Sequence, residues 1–450
     1  VRRTVSLLVP LALAVAAVAA PPTPAGAAPA DPPTCQGRPA TIVGGDDVAL
    51  EGTAGDDVIV SAGSSSVTGF AGDDLVCVTG PRFQTVTVSG DDGDDVLVVL
   101  AHRAETYLYP GAGSDLVLGG NGRDHVRIAR SPTGATELDR VRTAAGPDQV
   151  HHDGSRFDGG GVLPATDVDL GSSSDQVSLE PLLAEIPDRT TIRPGAGDHD
   201  RLQLVALSTS RVRLDLRTST LEVDGVELAG DWGGFDAHEV RFGPRRGSAR
   251  AEVIGTPGAD RVTVGGARSV DIALGGGDDR LELDNAGIHR GRVDAGAGTD
   301  HLVAAAHPYR RQRPLVDLAR GVLSRVGAGT ATPTTRLARF EGASLDAQYG
   351  GLLVGDRRPN VLQAVCGTVR GGGGADTIEG VWISISGRGP AGRTCYDPSL
   401  GFRGEGGRGA DDLVGTTTDD VLLGGPGRDR TRGRAGRDRC VAEVRTTCER

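Results

Sequence analysis

Apolar residues fall along this chain in short clusters, separated by stretches rich in Gly, Asp, Ser and Thr. Triplets such as Val58-Ile-Val60, Leu75-Val-Cys77 and Val96-Leu-Val98 stand between such stretches. Elsewhere apolar and polar residues alternate strictly, as in Val212-Arg-Leu-Asp-Leu216 and Leu221-Glu-Val-Asp224. Both patterns predict short β-strands, whose successive side chains point to opposite faces.

The clusters keep register with a nine-residue unit. Near the C-terminus four units follow one another without a gap, starting at Gly406, Gly415, Gly424 and Gly433, with Asp411, Asp420, Asp429 and Asp438 at their sixth positions. Upstream copies start at Gly52, Gly69, Gly90, Pro110 and Gly119, then at Gly255, Leu274, Ala295 and Gly371. Their sixth residues are Asp57, Asp74, Asp95, Asp115 and Asp124, then Asp260, Asp279, Asp300 and Asp376. Worn copies surround Asp148, Asp175, Asp200 and Asn360.

Each part of the unit has a physical task. Glycine gives the open backbone angles of a tight turn and brings carbonyls inward. The sixth-position Asp sits where the turn re-enters extended structure, so its carboxylate faces the turn. The last three residues form a strand whose middle member points inward: Ile59, Val76, Leu97, Val117, Val126, Val262, Leu281 and Leu302. Two turns and two strands make a coil, and stacked coils make an all-β parallel solenoid, or β-roll, with irregular coils in the middle. Its thin, uniform core needs only Val, Ile and Leu, consistent with 3% aromatic residues and no Met.

Spacing then groups the sites. Asp57, Asp74, Asp95 and Asp115 recur at about one coil each and should line one edge, as should Asp260, Asp279 and Asp300. In the C-terminal block Asp411 pairs with Asp429 and Asp420 with Asp438. Carboxylates stacked about 4.8 Å apart repel one another unless a cation lies between them. Calcium takes six to eight oxygens with loose geometry, whereas magnesium is stricter and keeps its waters.

The unit resembles the RTX, or haemolysin-type, calcium-binding nonapeptide G-G-x-G-x-D-x-U-x, where U is a large apolar residue. The resemblance covers about 52–127, 255–303 and 371–441. It implies that the sixth-position Asp residues above, with turn carbonyls, bind Ca2+ between coils, and that calcium acts as a folding cofactor. Phe340-Glu341-Gly342 similarly looks like the coil that leads into such repeats. The competing reading is a metal-free solenoid in which each Asp caps its own turn. Beside Asp429 and Asp438, the flanking Arg428, Arg430, Arg437 and Arg439 oppose a cation, and Arg–Asp pairing is the rival to calcium there.

Composition narrows the rest. Every basic residue is Arg, so no Walker-type phosphate loop can form, and the net charge of −12 opposes broad nucleic-acid binding. Arg2-Arg3, the apolar run Val5–Ala20 and Ala25-Gly-Ala27 read as a secretory signal over 1–28, followed by a chain with no further membrane span. An exported chain with six Cys suggests disulfides, with Cys35–Cys77, Cys366–Cys395 and Cys440–Cys448 as the local scheme. The organisation expected is an N-terminal repeat block at 29–127, degenerate coils at 128–250, a second block at 251–303, a spacer at 304–350 and a C-terminal block at 351–450.

No catalytic set stands out. His238-Glu239 opens like a zinc-protease motif, but position 242 is Phe. No G-x-S-x-G elbow occurs, and His151-His152-Asp153 reads as a solvated loop, with metal ligation as its other reading. The expectation is a secreted, non-catalytic calcium-binding repeat protein with a structural, surface or adhesive role. Its partners are calcium ions, with extracellular polysaccharide or the cell envelope as further candidates. A carbohydrate-active β-helix, lyase- or epimerase-like, is the alternative.

Overall fold

The computed structural model describes residues 31–449 apart from 46–48, 81–84, 101–104, 131–135, 154–161, 181–188, 198, 207–210, 229–231, 244–248, 285–289, 307–312, 328–333, 382–394 and 396–400. The secretory signal expected at 1–28 lies outside the described residues. Among the described residues no helix is long and apolar enough to cross a membrane.

The chain alternates between two facing layers. Val58–Ser61 lies in one, Ser66–Ala71 in the other, Leu75–Val78 in the first again and Thr85–Asp92 in the second. One layer is a single sheet of eighteen strands. Each pairs in parallel with the strand one coil away, from Leu50–Glu51 to Val444–Thr446. Among the described residues each of these two end strands pairs with one neighbour only, so the sheet is an open ladder rather than a closed barrel. The opposite layer is two sheets in succession. Eight strands run from Ile42–Gly44 to Thr191–Arg193, and fourteen follow, from the hairpin strand Val226–Leu228 to Arg439–Val441. The fold is a parallel β-roll.

Its irregular coils occupy the middle. Arg211–Asp215, Thr220–Val223 and Val226–Leu228 form an antiparallel meander where the eight-stranded sheet gives way to the fourteen-stranded one. Pro314–Asp317 and Val322–Arg325 form a second antiparallel insertion.

Parallel register stacks like on like. In the eight-stranded sheet Ile59, Val76, Leu97, Val117, Val141, Val168 and Ile192 form one inward column, all buried. Burying each such side chain contributes about 1.5–3 kcal/mol. The facing column, in the long sheet, is also aliphatic along most of its length, including Leu202, Val262, Leu281 and Leu302, but His238 interrupts it. A smaller cluster lies on the outer face of the eight-stranded sheet. There Cys35, in the hairpin Thr34–Cys35 with Arg38–Pro39, packs on Val58, Val60 and Leu75. Disulfides join Cys35 to Cys77, Cys366 to Cys395 and Cys440 to Cys448.

Candidate metal site: carboxylate ladders along the turns

Each nonapeptide turn delivers its sixth residue to the start of a strand, where the carboxylate folds back under the turn. There it accepts the backbone N–H of the corresponding residue one coil earlier. Along the eight-stranded sheet Asp57 donates to Asp74 Oδ1 (2.8 Å), Asp74 to Asp95 (2.9 Å), Asp95 to Asp115 (2.9 Å) and Asp115 to Asp139 (3.2 Å).

A second ladder follows the long sheet. Asp124 donates to Asp148 (2.9 Å), Asp148 to Asp175 (2.8 Å) and Asp175 to Asp200 (2.9 Å). Asp236 Oδ2 then receives the N–H groups of His199 (2.7 Å) and Asp200 (3.0 Å). The rungs continue from Asp260 to Asp279 (2.8 Å), Asp279 to Asp300 (2.9 Å) and Asp300 to Glu341 (3.0 Å). They resume from Asn360 to Asp376 (2.9 Å), Asp376 to Asp411 (2.8 Å), Asp411 to Asp429 (3.0 Å) and Asp429 to Glu443 (2.7 Å). A third, short ladder on the fourteen-stranded sheet links Asp420 to Asp438 (3.0 Å) and Asp438 to Glu449.

The other carboxylate oxygen separates the aspartates into two kinds. In Asp74, Asp95, Asp115 and Asp139, and in Asp148, Asp175, Asp279 and Asp300, Oδ2 is buried with no hydrogen-bond partner. The same holds for Asp376, Asp411, Asp429 and Asp438. Asp57, Asp260 and Asp420 differ, because a Thr at the second position of the unit caps them. Thr53 donates its N–H (2.8 Å) and hydroxyl (2.9 Å) to Asp57 Oδ2. Thr256 and Thr416 treat Asp260 and Asp420 alike, each giving its N–H at 2.6 Å and its hydroxyl. Asp124 takes the Gly120 N–H (2.8 Å) and the Thr106 hydroxyl.

At Asp74, Asp95, Asp376, Asp411, Asp429 and Asp438 the unpartnered oxygen faces the bare side of the glycine that opens the unit. A Cβ on Gly69 would stand 2.2 Å from Asp74 Oδ2 and 2.7 Å from the Gly90 carbonyl oxygen. On Gly371 it would meet Asp376 Oδ2 at 2.2 Å and the Gly406 carbonyl oxygen at 2.3 Å. Carboxylate and carbonyl oxygens from adjacent coils therefore converge on one small cradle.

A family model described as the RTX calcium-binding nonapeptide repeat matches the chain in four copies, over residues 108–127, 368–380 and 405–440. The chain carries RTX calcium-binding repeats. No curated protein matches it.

The matched RTX segments contain Asp115, Asp124, Asp376, Asp411, Asp420, Asp429 and Asp438; the blocks at 52–99 and 255–303 share their geometry. Within these turns, burial opposes ionisation. It pushes Asp95 up to about 8, with Asp115 and Asp74 adding repulsion. Asp115 is likewise pushed up to about 8 by burial and then by Asp139, and Asp376 to about 7 by burial and then by Asp411. Such groups stay ionised at neutral pH only if positive charge arrives. Among the described residues no three His, Cys, Asp or Glu side chains form a metal cluster. The carbonyl oxygens of the cradles are available to a cation in these turns. The donor set is all oxygen, which suits calcium.

An outer ladder accompanies the buried one and runs the opposite way. Asp73 donates its N–H to Asp56 Oδ1 (3.0 Å), Asp94 to Asp73 (3.0 Å) and Ser114 to Asp94 (2.8 Å). At the C-terminal turns Arg428, Arg430, Arg437 and Arg439 are exposed while Asp429 and Asp438 are buried. The solvated-loop reading of His151-His152-Asp153 is corrected. These residues lie in the strand Gln149–Asp153, where parallel pairing turns His152 into the core, 3.0 Å from the Thr166 hydroxyl. Sequence reasoning missed Asp139, Asp236, Glu443 and Glu449 as ladder members: Asp139 and Asp236 each keep only part of the glycine pattern, Gly134 at the first position and Gly234 at the fourth, and Glu443 and Glu449 stand in no glycine-marked unit.

Proposed function

We propose that this chain is an exported calcium-binding β-roll that works as a scaffold at a surface or in an extracellular matrix, without catalysis. The observation that carries the reading is the set of buried, unpartnered Asp Oδ2 atoms, which at Asp74, Asp95, Asp376, Asp411 and Asp438 share a glycine's bare side with a carbonyl oxygen from the next coil. In this proposal Asp74, Asp95, Asp115, Asp279, Asp300, Asp376, Asp411, Asp429 and Asp438 hold calcium between coils. Asp57, Asp124, Asp260 and Asp420 chiefly cap their own turns. The three disulfides and the leader-like residues 1–28 support export.

Calcium at ten times its dissociation constant adds about 1.4 kcal/mol per site. Several sites together rival the ~5–15 kcal/mol stability of a typical domain. Circular dichroism of the chelated chain should therefore show weakened β-structure that millimolar calcium restores. Titration calorimetry should then show fewer sites in Asp95→Asn and an unchanged number in Asp57→Asn. A chelated chain as folded and heat-resistant as the calcium-loaded one would overturn the proposal.

A further inference from the structure

Between the meander and the second antiparallel insertion, the outer face of the fourteen-stranded sheet is lined with arginine. Inward positions on Arg211–Asp215, Arg250–Ile254, Ser269–Gly276, Arg290–Ala297 and Thr335–Ala338 are mostly aliphatic and buried, and strand alternation sends the residues between them outward. Parallel pairing sets Arg250 one coil from Ser269 and Ser269 one coil from Arg290, and it puts Arg292 directly beside Arg336. The chain has a net charge of −12, so a basic face is a local departure from the whole.

The acids on this face are few and already shared. Glu252 serves Arg211 (2.8 Å), Arg213 (3.6 Å) and Arg250 (3.9 Å), and Asp271 also takes Arg250 (3.2 Å). Glu222 faces Arg213 across the meander. Asp294 lies between Arg292 (2.8 Å), on its own strand, and Arg339 (2.6 Å), just past the end of the neighbouring one. Arg268, Arg290 and Arg336 are exposed and make no ion pair among the described residues. Like charges on adjacent strands, as at Arg292 and Arg336, repel unless a counter-charge joins them. The guanidinium groups are open to solvent: the side chains of Arg292 and Arg339 are 66% and 57% exposed even while they hold Asp294.

We propose that this face binds a linear polyuronate, a polysaccharide with a carboxylate on every ring. Asp294 displays the mode of recognition, one carboxylate held by arginines from two coils. Arginine suits it, because its planar fork pairs with both oxygens of a carboxylate. A polymer laid across the coils would meet a new row of outward side chains about every 4.8 Å, close to the length of one sugar ring. Nucleic acid fits less well. The outward positions of these strands carry no aromatic side chain on which a base could stack, and the exposed Asp278 keeps the adjoining turn acidic. The inference gives the proposed scaffold a partner; it rests on that reading for an extracellular location and not for calcium.

The test titrates the full chain, in millimolar calcium, with hexagalacturonate, an oligomer too short to gel with that ion. Calorimetry should show saturable binding with a dissociation constant on the order of 0.1 mM. Raising the salt from about 0.05 to 0.5 M should weaken it at least about tenfold. Arg290→Gln combined with Arg336→Gln should also weaken it at least about tenfold, with the circular dichroism spectrum and calcium stoichiometry unchanged. Arg38→Gln, in the N-terminal hairpin, should bind as its parent does. The inference fails if hexagalacturonate does not bind up to about 10 mM, or if the double variant binds it as well as the unaltered chain. It also fails if the fully methyl-esterified oligomer binds equally well, or if a short oligothymidylate binds more tightly. A chain that binds the uronate in this way but takes up no calcium would uphold this inference and remove the calcium reading.

Discussion

In units that open with glycine, the first and sixth residues share one small volume. The space that a side chain would fill on Gly69 is taken by a carboxylate oxygen of Asp74 and a carbonyl oxygen of the next coil. The fourth-position glycine has a separate reason: Gly93 has φ +142°, and a Cβ there would meet the Gly72 carbonyl oxygen at 2.1 Å. Gly69→Ala should therefore lower stability in calcium by about 1–3 kcal/mol, read from urea unfolding, and should also weaken calcium binding. Gly55 has nothing within 4 Å of the Cβ position, so Gly55→Ala should change neither by more than about 0.5 kcal/mol. Equal effects of the two substitutions would refute the shared-volume account.

At the scale of strands and turns, stability is distributed coil by coil, because each coil touches mainly its neighbours. Leu281 is fully buried between Val262 and Leu302 in the long sheet. Leu281→Ala should cost about 2–5 kcal/mol. Hydrogen exchange should show the loss locally, over roughly 261–305, while strands near Val58–Ser61 keep their protection. Uniform loss along the chain would contradict a quasi-one-dimensional stack. Much of this architecture was legible in the sequence because the nonapeptide states both the turn and the inward residue. What was not legible has identifiable causes. Glu341, in a coil flagged only by its Phe-Glu pair, and Glu443 lie 41 and 14 residues after the N–H groups they accept. The longer side chain bridges coils of unequal length there, and no fixed spacing announces it. The capping of Asp57 by Thr53 was readable in principle, since Thr stands at the second position of all three fully capped units, but its meaning emerges only when both carboxylate oxygens are traced.

For the whole molecule, the buried acids make calcium-free stability depend on pH. Burial raises Asp95 and Asp115 to about 8, and Asp139, Asp148 and Asp376 to about 7. A group raised in the folded state favours folding below its unfolded value near 4, and that contribution is lost as pH climbs through the folded value. Asp167, Asp215, Asp294 and Glu405 have arginine partners and are lowered. Their contribution is present above pH 4 and disappears below it. The chelated chain should thus be most heat-resistant near pH 4–5, with a melting temperature falling by several degrees towards pH 8. Millimolar calcium should flatten or reverse that fall. A chelated chain that grows steadily more stable from pH 5 to pH 8 would show that these carboxylates are not buried as described.

Every buried rung points the same way: an amide is completed only by an acid that comes later in the chain. A rod of this kind can grow by duplicating an internal segment, because each new copy is both customer and supplier. Where no glycine-marked aspartate follows in register, a glutamate takes the place of the acceptor. Glu443 and Glu449 fill that office for Asp429 and Asp438. Gaining or losing one internal coil would therefore leave every other rung intact, because each amide depends only on the coil beside it.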